Sequence, residues 1–144
     1  MADKGNQLDI GTSGPEGRQW RVLVVDDCDK TVKLIEAELK GKGFEIFLAT
    51  SVDEATRLIV KKDTRPDLIL LDVVMPVVDG RQFCRFIKSN EMFSDIKVIL
   101  CSGIAPDELE ASAEKYGADG FVHKTDILGR WVVGQLVSEQ QGRE

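Results

Sequence analysis

The chain alternates short apolar runs with segments in which apolar residues recur every three or four positions. Trp20–Val25 (WRVLVV) reads as a first strand, and Asp29 is placed to cap a helix in which Val32, Ile35 and Leu39 share a face before Gly41 and Gly43 end it. Phe44–Ala49 is a second strand, after which Ser51 and Glu54 make a capping box that opens a helix through Ala55, Leu58 and Ile59. Beyond the break at Pro66, residues 67–71 form a third strand; Met75, Pro76 and an Asp79–Gly80 turn lead into a helix carrying Phe83, Phe86 and Ile87. Residues 96–101 are a fourth strand, and Pro106 suits the first turn of a helix through Leu109, Ala113 and Tyr116 that stops at Gly117. Gly120–His123 is a fifth, short strand. A last helix, capped by Thr125 or Asp126, aligns Leu128, Val132 and Leu136, with Trp131 partly off that face.

Strands that alternate strictly with helices across short connections predict an α/β fold, a doubly wound parallel sheet of five strands with right-handed crossovers and helices on both faces. Ligands in such sheets bind beyond the carboxyl ends of the strands, where strand order reverses. Residues 1–19 hold four glycines and a proline with no apolar period and read as a flexible arm; 20–138 are one domain and 139–144 a frayed tail.

Composition narrows the class. With 144 residues, 42% hydrophobic and 31% charged, the chain suits one packed core and should bury roughly 68–70% of its unfolded surface. No apolar run is long enough to span a bilayer and the first residues lack the apolar stretch of a signal peptide, so a soluble cytoplasmic protein without membrane contact is expected. The net charge of −6, with acid and base mixed along the chain, leaves no footprint for direct nucleic-acid binding. Cys28, Cys84 and Cys101 are widely spaced and include no CxxC pair, so reduced thiols are expected rather than a disulfide framework or a zinc site. The carboxylates beside Cys28 are expected to raise its pKa.

The chemistry lies at strand ends. Asp26 and Asp27 close VLVVDD and Asp72 closes DLILLD; if the first and third strands are neighbours, three carboxylates converge. Crowded carboxylates repel, and a divalent cation relieves that conflict; an all-oxygen set suits Mg²⁺ better than zinc. The plainer reading, solvated helix caps, fits Asp29. Ser102 after the fourth strand adds a hydroxyl and Lys124 after the fifth a compact cation, both useful to phosphate chemistry.

Over about residues 20–138 the chain resembles the receiver domain of two-component response regulators, in particular the chemotaxis type. The residues that carry the likeness are the DD of VLVVDD, the LLDVVMPVVDG segment around Asp72, the CSG containing Ser102, and GADGFVHK ending in Lys124. The resemblance implies a flavodoxin-like sheet of order 2-1-3-4-5. It implies a phosphorelay protein rather than an enzyme with a separate substrate. Asp72 would be the phosphoacceptor, charged by a sensor histidine kinase, a histidine phosphotransfer protein or a small phosphodonor. Mg²⁺ would be held by Asp26, Asp27, Asp72 and the backbone carbonyl of Val74. Lys124 would pair with the acyl phosphate, and Ser102 with the aromatic Phe121 would form the switch. Output would pass by protein contact to a downstream partner, since no effector segment follows; the chain would be a monomer or a phosphorylation-dependent dimer. The surface for that contact would be the fourth helix, fifth strand and fifth helix, and the first helix, around Val32, would dock the kinase.

Several positions depart from the family pattern. Thr125 stands where proline is usual after the lysine, and a non-proline cis bond costs about 2.5–4 kcal/mol, so a trans Lys124–Thr125 peptide is expected. Val74 and Ile104 flank the approach of a hydrolytic water and are expected either to slow acyl-phosphate hydrolysis or to pack under a loop. Phe121 switches by packing alone, having no hydroxyl. His123 alternates onto the side of Phe121 as a surface or interface residue. A phosphohydrolase of the haloacid dehalogenase class would need an aspartate where Val74 stands. A flavin site would be repelled by Asp26, Asp27 and Asp29. The main alternative is a phosphorylation-independent interaction module on the same fold.

Overall fold

The computed structural model describes residues 18–75 and 79–124. Among the described residues five strands and four helices alternate: β1 Trp20–Val25, α1 Asp29–Leu39, β2 Phe44–Ala49, α2 Val52–Val60, β3 Leu68–Asp72, α3 Gly80–Ser89, β4 Lys97–Ser102, α4 Pro106–Tyr116 and β5 Gly120–His123. All pair in parallel in the order β2-β1-β3-β4-β5, the flavodoxin-like arrangement. The predicted third and fourth strands shift by one residue toward the carboxyl end. The expected last helix, Trp131, the Lys124–Thr125 peptide and both chain ends lie outside the described residues.

Period-two alternation in the central strands builds two apolar layers. Leu23, Val25, Ile69, Leu71, Val98 and Leu100 face α2, α3 and α4, meeting Ala55, Ile59, Phe83, Ile87 and Leu109. Val22, Val24, Leu68, Leu70 and Ile99 face the opposite way, against Val32, Ile35 and Leu39 of α1. A strand buried on both faces must be apolar throughout, which is why β1 and β3 read as continuous Val, Ile and Leu runs. Val32 is part of that core, so it is not available to dock a kinase. Phe86, expected on the core face of α3, is half exposed; its ring stacks on buried Phe83 at 6.4 Å.

The helix ends follow local chemistry with three corrections. The α1 N-cap is Cys28, with Asp29 already in the first turn, and the helix closes at Leu39 with Lys40 as its C-cap, before Gly41. Ser51 Oγ accepts from the Glu54 N–H at 3.1 Å as a capping box requires. The return arm, however, reaches one residue further, Glu54 Oε1 accepting from Thr50 N–H at 2.7 Å and from its hydroxyl at 3.0 Å. Gly117 caps α4 at φ 83°, a left-handed conformation that disfavours any side chain, with its N–H donating to the Ala113 carbonyl.

Candidate functional site

The strand order reverses between β1 and β3, since β1 connects to the β2 edge and β3 toward β4 and β5. Asp26 follows the last residue of β1 and Asp72 ends β3, so parallel register brings both to that crevice. Asp26, Asp27 and Asp72 each offer a carboxylate oxygen, all within 4.8 Å of one another. Asp26 and Asp72 are only 2% and 3% exposed, whereas Asp27 faces solvent. An open, all-carboxylate set of this kind fits a hard divalent cation that keeps several waters. The convergence expected from the sequence is present.

Backbone donors fix the orientation of the two buried acids. Cys28 N–H donates to Asp26 Oδ1 at 2.8 Å, and Val74 N–H to Asp72 Oδ1 at 3.3 Å. Lys124, just past β5, places Nζ 2.9 Å from Asp26 Oδ2 and 3.7 Å from Asp72 Oδ1. Burial pushes the Asp72 carboxyl up to about 6, reinforced by the Asp26 charge and less by Asp27, against the pull of Lys124 and the Val74 N–H. Burial works against the Lys124 ammonium. The hydrogen bond to Asp26 and the charges of Asp72 and Asp26 outweigh it and hold its pKa above the ordinary lysine range.

The remaining expected residues lie on β4, on β5 and in the loops that follow β3 and β4. Ser102 ends β4, buried beside the β3 terminus where Asp72 pairs with Cys101; its Oγ accepts from Ile104 N–H at 3.3 Å. Phe121 lies on β5 with its ring partly outside, 37% exposed, and Val122 between it and His123 is buried. Val74 is 59% exposed, so it does not pack under a loop; Ile104, in the loop after β4, is half-buried against the core layer that includes Leu100 and Leu109.

Three features were not foreseen. Asp79 is the N-cap of α3, its Oδ1 accepting from the Arg81 N–H at 2.8 Å. Gly80 lies so near β3 that a Cβ there would sit 1.9 Å from the Asp72 carbonyl oxygen, while its N–H donates to the Val73 carbonyl at 2.9 Å. The Asp79–Gly80 pair signalled a turn, but not this close approach. Exposed Cys28 also reverses its expected shift. Its pKa is lowered, because the Thr31 hydroxyl and N–H favour the thiolate, helped by the Lys30 N–H, and together they outweigh burial and the Asp26 charge. Burial pushes Cys84 up to about 11 and Cys101 up to about 12, so both are neutral thiols.

Comparison with known proteins places this crevice in a family. Residues 22–128 match the model of the response regulator receiver domain. The chain is 36% identical over 104 residues to the response regulator PleD of Caulobacter vibrioides, covering 72% of this chain and 22% of PleD. It is 34% identical over 125 residues to the transcriptional regulatory protein PrrA of Mycobacterium tuberculosis, covering 87% of this chain and 50% of PrrA. The chain thus spans half or less of the length of these relatives. Among solved structures, the signal receiver domain of a signal transduction histidine kinase from Syntrophus aciditrophicus superposes with a TM-score of 0.70 at 30% identity, over 83% of this chain and 91% of that one. Motif, topology and family match agree, and the chain belongs to the receiver domain family of two-component response regulators.

Proposed function

We propose that this receiver is a phosphorylation-activated switch in which Asp72 accepts a phosphoryl group from a histidine kinase or a histidine phosphotransfer protein. The observation that carries the reading is the convergence of Asp26, Asp27 and Asp72 at the strand-order reversal, with Lys124 reaching into it. A carboxylate oxygen of Asp72 attacks phosphorus in line as the phosphorus–nitrogen bond of the donor breaks, the electron pair leaving with the imidazole. The product is an acyl phosphate on Asp72.

Asp26, Asp27, Asp72 and the backbone carbonyl of Val74 are the residues that would hold Mg²⁺, which supplies charge neutralisation for the transferring phosphoryl group. Asp72 must be ionised to attack, and its raised pKa makes the carboxylate dependent on neighbouring positive charge. Lys124, held by Asp26 before transfer, has Asp72 as its second partner and follows the new dianion. Ser102 exchanges its Ile104 N–H contact for a phosphate oxygen, draws the loop after β4 inward and frees space for the Phe121 ring. Partners would read that change by contact, in the cytoplasm, without direct nucleic-acid binding by this domain. Residues 20–138 would form the unit that carries it.

Incubation with Mg²⁺ and acetyl phosphate, followed by intact mass, tests the chemistry. The expected result is one phosphoryl adduct on the wild type and none on Asp72→Asn. No adduct from acetyl phosphate or from a phosphorylated histidine donor would favour an interaction module that works without phosphorylation.

A further inference from the structure

Next to Gly80, Arg81 makes a contact against which such a switch would work. Its guanidinium forks onto Asp79, Nε donating to Oδ1 at 3.0 Å and to Oδ2 at 3.3 Å, and Nη2 to Oδ2 at 2.8 Å. The remaining nitrogen crosses to α4: Nη1 is 3.4 Å from Ser112 Oγ and 3.6 Å from Glu108 Oε2. Glu108 and Ser112 are four residues apart and so share one helix face. Ser112 is a buried hydroxyl on that face. Hydrogen bonding between Asp79 and Arg81 holds the carboxyl below and the guanidinium above its ordinary range.

The two ends of this clasp belong to differently anchored parts. The Asp79 end is fixed to β3, because Gly80 is bonded to the Val73 carbonyl and its backbone is packed against that of Asp72. The α4 end hangs from β4 through residues 103–105, the loop that Ser102 holds by its contact with Ile104. Any inward movement of Ser102 pulls on the start of α4, while Arg81 ties the same helix at Glu108 in its first turn and at Ser112 in its second.

We propose that Arg81 is a positioning residue that clasps α4 to the Asp72 side of the sheet while Ser102 holds Ile104, so that activation proceeds against the clasp. The inference rests on the phosphoacceptor reading of Asp72. A contact stronger in one of two arrangements shifts their equilibrium by its differential strength. Long α4 contacts from a partly exposed guanidinium put that factor at about three- to tenfold.

The test is titration of the full chain, in Mg²⁺, with beryllofluoride as a phosphoryl mimic, read from amide resonances of the loop after β4, with melting temperatures measured in parallel. Arg81→Met removes the whole clasp. The double variant Glu108→Gln/Ser112→Ala removes only its α4 end and leaves the α3 cap intact. Both should lower the half-saturating beryllofluoride concentration about three- to tenfold relative to wild type. Variants that melt earlier but bind at the wild-type concentration, or more weakly, overturn the proposal and leave Arg81 a purely structural tie. A wild type that never takes up beryllofluoride overturns the Asp72 reading and the clasp together, whereas a responsive wild type with unshifted variants overturns the clasp alone.

Discussion

Replacing Asp72 by asparagine should make the cation-free protein more stable at neutral pH, by an amount that grows with pH over a defined window. The Asp72 carboxyl is raised from an ordinary value of 3.8 to about 6, chiefly by burial. The native state therefore holds its proton more tightly than the unfolded chain, and stability falls as pH rises from the unfolded value through the native one. A difference of about 2 pKa units at about 1.36 kcal/mol each gives roughly 3 kcal/mol lost once the group is ionised in both states. Asparagine keeps the shape and an acceptor for the Val74 N–H but carries no charge, so it escapes that loss. The assay is urea unfolding in EDTA of wild type and variant, followed by circular dichroism. Near pH 3 to 4 the two should be nearly equal, and by about pH 8 the variant should lead by roughly 3 kcal/mol, about 6–12 °C in melting temperature. Saturating Mg²⁺ should close most of the gap, since binding at about 100 times the dissociation constant adds about 2.7 kcal/mol to the wild type. An advantage that does not change between those pH values, or a variant less stable than wild type at about pH 8, would refute the reasoning.

Two further outcomes follow from the same geometry. Gly80→Ala puts a Cβ 1.9 Å from the Asp72 carbonyl oxygen, a backbone atom that cannot swing aside, so it should cost about 3 kcal/mol or more and show as a lowered urea midpoint. Val74→Asn and Ile104→Glu should each speed loss of the phosphoryl group from Asp72, measured by intact mass after the donor is removed. The effect should be larger at the exposed Val74 than at Ile104, which packs on the core; unchanged lifetimes in both would show that these side chains do not limit access of water.

Much of the site could be read from residue order because its main carboxylates sit where continuous apolar runs end. A run buried on both faces must stop when a charge appears, so Asp26 and Asp72 mark the mouth of the sheet without any structure. Cys28 shows where that logic fails: counting nearby acids predicts a raised pKa, whereas the donors that decide it, from Thr31 and Lys30, belong to the first turn of α1. Phe86 obeyed helical spacing and still emerged half exposed, because spacing defines a face but not how far the neighbouring helix covers it. Arg81 gave no signal at all, its partners on α4 lying 27 and 31 residues away in sequence.

The sequence by itself determined the alternation of strands and helices, the parallel α/β class and the chemical types gathered at the strand ends, since all of these follow from periodicity and local chemistry. Tertiary structure decided the distances. It brought three carboxylates within 4.8 Å, gave Lys124 to Asp26 before Asp72, pressed Gly80 against the Asp72 backbone and joined α3 to α4 through Arg81. Those are relations between segments far apart in the chain, and only packing of the sheet and its helices brings them into contact.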